Sequence, residues 1–221
     1  GHIVYSVFKE LDFATSLLTG PYANSNLAKA FKKSNASSGP DMVSIVDLEK
    51  YSPSYDAPAG FIASPIYDGV KKIGVLIFQI PVEKINKIMT SEQKWKESGY
   101  GDSGETYLVG QDKKMRSVSR FLMEDPEGYF KVAKKIGLTD EDVSFVRNMN
   151  TTAIVQTVDS EGIGRLIKGE DGFSMFEDYR GTNVFSSYRS VLLGDGLTWY
   201  ILAEIDEAEA FEAVFDMQSL M

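Results

Sequence analysis

Apolar and polar residues alternate along several long stretches of this chain, and a period of two is the signature of a β-strand with one face on a core. Residues 61–80, FIASPIYDGVKKIGVLIFQI, read as a strand, an Asp-Gly turn and a second strand, and PVEKINKI after them reads as a helix. Residues 184–205, VFSSYRSVLLGDGLTWYILAEI, repeat that pattern and lead into DEAEAFEA, again a helix former. The small difference in length between the spans is what a longer hairpin loop absorbs. With Tyr5-Ser6-Val7 paralleling Arg116-Ser117-Val118, the chain reads as two copies of one unit.

A further hairpin is expected at 104–121, where Thr106 to Val109 is β-branched and aromatic, Gly110-Gln111-Asp112 supplies turn chemistry, and residues 115–121 alternate into a second strand. In the first copy, residues 3–7 predict a strand, 11–18 and 24–33 helices, and 42–46 a short strand before the constrained loop SPSYDAP at 52–58. In the second, 124–135 and 139–148 predict helices, the latter opened by Thr139 with Asp142 at capping-box distance. Strands are expected at 152–158, 173–179, 182–190 and 197–205. Late strands joined by short turns give an antiparallel sheet with helices gathered on it, hence an α+β fold. The polar, Gly-rich stretch SEQKWKESGYGDS divides the chain into modules at 1–90 and 104–221 with a connector at 91–103. Residues 3–7 have no earlier strand to pair with, so the first module is expected to lack a first strand and a helix before it.

Three blocks carry a family likeness: GETYLVG followed by MRSVSRF at 104–121, IVYSVFKELDFATSLLTGPY at 3–22, and DYRGTNVFSSYRSVLLGDGLTWYILAEID at 178–206. Together they make up about a third of the chain. This set resembles the double Cache sensor domains, the extracytoplasmic, PAS-like input modules of bacterial chemoreceptors and membrane-bound signalling enzymes. The resemblance implies two tandem PAS-like modules, each an antiparallel sheet of about five strands with flanking helices. It implies that the first, membrane-distal module holds a small-molecule ligand and that the second relays to the membrane. It further implies a periplasmic domain of an inner-membrane receptor, a receptor homodimer, flanking transmembrane helices outside this chain, and most naturally a methyl-accepting chemotaxis output. A histidine kinase or nucleotide cyclase output, or a ligand-free structural or partner-docking module, are the alternatives. The amino-acid-binding members of the family carry an Arg and a Trp-Tyr pair in the distal pocket. This chain has no arginine before Arg116 and no tryptophan before Trp95, which points instead to an organic acid or similar polar metabolite.

Charge and composition narrow the chemistry. A formal net charge of -9 repels phosphate backbones, so nucleic acid is not an expected partner. There is no cysteine, and the single histidine, His2, follows Gly1 in what resembles the scar of a cleaved tag. Thiol nucleophiles, Ser-His-Asp relays, imidazole bases and structural zinc therefore fall away, and neither enzymatic activity nor a cofactor nor a metal is expected. The longest apolar run, near 73–82, is about half of a membrane span. Ala210, Phe211, Val214, Phe215 and Leu220 predict an amphipathic exit helix.

Aromatic walls with a few hydroxyl donors are what a small-ligand cavity needs, and Tyr22, Tyr51, Ser54, Tyr55, Phe61, Ser64 and Tyr67 form such a set around the constrained loop. An acid bound there would rely on Lys9, Lys50, hydroxyls or backbone N–H groups. In the second module Tyr107, Arg116 and Arg120 are candidates, the two arginines being four apart on an expected strand and so on one face. The carboxylate pairs offer less. Adjacent Glu177 and Asp178 point to opposite faces, and Glu204 and Asp206 lie where a strand feeds an acidic helix start.

Overall fold

The computed structural model of the chain describes residues 1–212, and it separates into two compact units. The first comprises Gly1–Val82 with the short segment Leu192–Leu197, and the second comprises Glu83–Val191 with the chain from Thr198 onward.

In the first unit, β1 (Ser44–Tyr51), β2 (Ala57–Asp68) and β3 (Lys71–Gln79) form an antiparallel sheet in the order β1-β2-β3, covered on one face by α1 (Asn26–Ala36). The β2–β3 turn closes at Asp68 and Lys71 through Gly69, whose φ of +58 suits a residue without a side chain. Ser25 caps α1 by accepting from the Ala28 N–H. Ala28 and Ala30 are fully buried, so the helix backbone settles close to the sheet and meets Val46, Ala59, Phe61 and Ala63. Asn26, a buried polar residue of α1, donates to the Ala59 carbonyl at 2.5 Å and the Asp47 carbonyl at 3.2 Å, beside the irregularity in β1. The helix α2 (Val82–Met89) follows β3.

In the second unit the sheet runs β4-β7-β6-β5, from β4 (Glu105–Gly110), β5 (Gly172–Glu177), β6 (Asn183–Gly194) and β7 (Leu197–Asp206). Between β4 and β5 lie α3 (Arg120–Glu124), α4 (Pro126–Val132), α5 (Asp140–Met149) and α6 (Glu161–Ile167), and α7 (Glu207–Ala210) follows β7. Tyr107, Val109, Met115, Leu166, Tyr188 and Leu202 are among the residues of its core. The Thr139–Asp142 capping box opens α5 as expected.

The architecture is the expected mixed one of two antiparallel sheets, but with three and four strands among the described residues instead of about five each. Residues 3–7 form no strand. Ile3 alone makes backbone bonds, to Ala14 and Thr15, and Val4, Tyr5, Val7 and Phe8 are exposed. Residues 11–18 are turns stitched by Asp12, Thr15 and Ser16 instead of a helix, because short polar side chains there capture neighbouring backbone groups. The second strand of the 104–121 hairpin shrinks to a bridge between Val109 and Met115. Met115 N–H instead donates to Gln156, and Ser119 caps α3, turning the chain away from β4. Pro126 splits the helix expected at 124–135, with Asp125 as a fresh cap. Residues 152–158 bond to 113–115 as irregular backbone instead of a strand, and α6, capped by Ser160, was not anticipated. Of the expected exit helix, Val214, Phe215 and Leu220 lie outside the described residues.

Candidate functional site

Tyr51 ends β1, where the one-residue register shift between Val46 and Glu49 brings its ring to the face of Val46 in the first unit's core, and it packs edge-on against Phe61 at 5.1 Å between centroids. Its hydroxyl donates to Asp12 Oδ2 at 2.6 Å in a fully buried contact. Burial, then the hydrogen bond to Asp12 and the charge beside it, hold the phenol above its ordinary range, so Tyr51 stays a donor. The other oxygen, Asp12 Oδ1, is buried without a hydrogen-bond partner. Next to this pair Ser54 donates to Glu10 Oε2 at 2.8 Å, and half-buried Tyr22 is near enough to act on the Tyr51 phenol. The left-handed Tyr55 and Asp56 (φ 55 and 65) fold the loop back so that Asp56 N–H reaches the Tyr51 carbonyl.

Tyr22, Tyr51, Ser54 and Phe61 thus gather around Asp12 and Glu10. Three other candidates do not join them. Tyr55 is 83% exposed. Ser64 is three residues from Phe61 on β2 and faces the other side of the sheet, since alternation separates odd from even positions. Tyr67 stands near the far end of β2, under Lys72 at 5.9 Å. Lys9 stands over the Phe13 ring at 6.0 Å.

In the second unit the arginines serve the fold. Arg116 is 3% exposed, bonds Asp112 at 2.8 Å and the Lys114 carbonyl at 2.9 Å, and lies against Gly110, where any Cβ would strike its guanidinium. Arg120 binds Glu124 at 2.8 Å and the Gly104 carbonyl at 2.6 Å and stacks on Trp95 at 4.8 Å. Because 115–121 is not a strand, the two arginines share no strand face. Tyr107 donates to Glu204 Oε2 at 2.9 Å, inside a buried cluster of Glu105, Glu204, Asp178, Tyr179 and Arg180. Burial first, then the Asp178 charge, raise Glu204 to about 8. Burial likewise raises Glu105 to about 7, against the pull of the Arg120 N–H. On the opposite face of the same sheet a groove of about 420 Å³ runs along Tyr100, Phe173, Phe185, Ala203 and Ile205, with Glu105 and Glu204 at its border.

No family model matches this chain, and no curated protein matches it. Among solved structures, the periplasmic sensory domain of the Campylobacter jejuni chemoreceptor Tlp1 superposes with a TM-score of 0.51 at 17% identity, over 86% of this chain and 57% of that one. The chain has the fold of a periplasmic chemoreceptor sensory domain. The ligand-binding domain of the Pseudomonas aeruginosa PAO1 chemoreceptor PctB, in complex with L-Arg, matches at 18% identity and a TM-score of 0.47, over 94% of this chain and 64% of that one. That of PctC from the same organism, in complex with GABA, matches at 14% and 0.45, over 80% and 59%. The chain therefore spans about three-fifths of the length of these sensory domains.

Within this sensory-domain fold, sequence reasoning missed Asp12, Glu10 and the opposition of Glu105 to Glu204. One signal was available. Glu105 shares strand parity with Tyr107 and Val109, and Glu204 with Tyr200 and Leu202, so each glutamate stood at a core-facing position of an apolar strand.

Proposed function

We propose that this chain is the extracytoplasmic ligand-sensing region of a bacterial transmembrane chemoreceptor, its first unit the membrane-distal ligand module and its second the membrane-proximal relay. The superposition on the Tlp1 sensory domain over 86% of the chain carries this reading. Membrane anchorage beyond this chain and a receptor homodimer belong to the same proposal.

The geometry around Tyr51 favours one ligand chemistry over the organic acid expected from the sequence. A carboxylate would meet Asp12 and Glu10 in a unit that contains no arginine. A small polar metabolite bearing an ammonium group instead finds a buried carboxylate oxygen ready to accept a charge-assisted hydrogen bond. Tyr22, Tyr51 and Phe61 supply aromatic walls.

A thermal-shift panel of ammonium-bearing metabolites and organic acids tests this. A ligand at about 100 times its Kd adds roughly 2.7 kcal/mol and a rise of a few degrees. An amine-specific rise that Asp12→Asn removes is expected. A response to organic acids alone sinks the amine assignment, and a cooperative melt deaf to the whole panel sinks the sensor. In that last case the partner-docking reading gains, since Ile66, Leu76 and Phe78 leave the other face of the first sheet apolar and exposed. Analytical ultracentrifugation of the chain would then report self-association.

A further inference from the structure

Glu105 and Glu204 sit directly opposite one another on the antiparallel strands β4 and β7, and both face the core of the second unit at 4% and 6% exposure. Directly opposed positions place Cβ atoms roughly 4.5–5.5 Å apart. Two carboxylates that close in a dry site do not both hold a negative charge.

The groups around them are committed. From β4, the Tyr107 hydroxyl donates to Glu204 at 2.9 Å. After β5, the Tyr179 hydroxyl donates to Glu105 at 3.0 Å, and Arg180 divides its charge between Asp178 at 2.5 Å and Asp206 at 2.6 Å. From α3, the Arg120 N–H donates to Glu105 at 2.6 Å, while its guanidinium is held by Glu124 and the Gly104 carbonyl. From β6 comes Ser186, fully buried and close enough to ease the charge on Glu204. Yet neither Ser186 Oγ nor Glu204 Oε1 has a hydrogen-bond partner. Among the described residues no acidic group has the geometry to hold a metal ion. A shared proton balances the charge of the pair while the Tyr107, Tyr179 and Arg120 donors stay in place.

We propose that Glu105 and Glu204 form a proton-binding pair that shares one proton near neutral pH, and that its release is transmitted to α7. The proton leaves a carboxyl O–H for solvent and the pair is left doubly charged. The strands that carry both residues floor the groove on the far side of the sheet, but the carboxyls face the core, so proton exchange with water proceeds through local opening of the second unit. Burial works in the same direction, holding both groups above the ordinary carboxylate range. Tyr179, which holds Glu105, is followed in the chain by Arg180, whose guanidinium binds Asp206 at 2.6 Å. Asp206 N–H donates to Ser103 Oγ at 3.0 Å, and Ser103 and Asp102 donate in turn to the Glu209 carboxylate on α7. An input set by external acidity is therefore built into the second unit, independent of any ligand in the first.

A carboxyl-carbon NMR titration of the labelled chain from about pH 5 to 9 tests both statements. Ordinary glutamates titrate near 4.3, so two side-chain carbons with midpoints above about 6 are expected, and in Glu204→Gln a single one, shifted down by about a unit or more as its neighbour's charge is lost. The amides of Ser103, Asp206 and Glu209 are expected to move with the upper midpoint. Every glutamate titrating below about 5.5 overturns the pair. Amides that stay fixed while Glu204 titrates overturn the transmission. Should Glu204→Gln not fold, the titration of the unaltered chain still decides.

Discussion

Tyr51→Phe deletes one oxygen and keeps the ring that packs on Phe61, so it isolates the Tyr51–Asp12 hydrogen bond. Tyr51 is 2% and Asp12 7% exposed, and Asp12 Oδ1 already lacks a partner. The substitution therefore strips the carboxylate side chain of its remaining side-chain donor in a site where water does not replace it. Hydrogen bonds to charged groups contribute about 1.5–3 kcal/mol, and an abandoned buried acceptor keeps its desolvation cost, so Tyr51→Phe should lose about 2–3 kcal/mol. Asp12→Ala leaves a neutral buried hydroxyl and should lose about 1–3 kcal/mol. The double variant removes both orphans and should lose no more than Tyr51→Phe alone, a coupling of at least about 1 kcal/mol. Because burial holds the phenol protonated, the coupling should not change between pH 6 and 9. Both tryptophans, Trp95 and Trp199, belong to the second unit, so their fluorescence is blind to this site. Hydrogen exchange of peptides from β1 and β2 reports it directly, with an expected acceleration of roughly 30- to 150-fold for Tyr51→Phe at a factor of ten per 1.4 kcal/mol. Losses that add within about 0.5 kcal/mol would refute the reasoning, since they mean that the two groups do not depend on one another.

Three further outcomes follow from the second unit. Glu105 and Glu204 are raised in the folded state, so it keeps protons that the unfolded chain releases above about pH 4.5; stability should fall as pH rises from there through about 7 and 8, by up to about 1.4 kcal/mol per unit per retained proton, and then level off. Urea midpoints at pH 6 and 8.5 read this slope, and Glu204→Gln should flatten it; a slope of the opposite sign contradicts the assignment. Gly110→Ala drives a methyl into the Arg116 guanidinium and should cost about 1–3 kcal/mol by urea unfolding followed through Trp199, whereas an unchanged midpoint would mean that Arg116 relaxes freely. Arg180→Met leaves the Asp178 side chain, which has no exposed surface, without its cation; a loss of about 3–5 kcal/mol is expected, and a neutral result would show water reaching Asp178.

Local physics made much of this protein legible from its sequence. The two long hairpins, β2–β3 and β6–β7, declared themselves because alternation and an Asp-Gly turn act within a few residues, and the α5 capping box for the same reason. Tyr51, Ser54 and Phe61 could be placed at one site because they flank one constrained loop. Asp12 could not, since it reaches Tyr51 across 39 residues through turns where a helix was expected. Strand parity marked Glu105 and Glu204 each as inward-facing, but nothing local states that they are opposed. That depends on the register of β4 on β7, strands separated by most of the second unit, and the same long-range pairing decided that Met115 bonds Gln156 and sends Arg116 and Arg120 to different partners. Elements follow from short-range periodicity and capping, whereas the site and the proton pair follow from contacts that exist only after the chain has closed on itself.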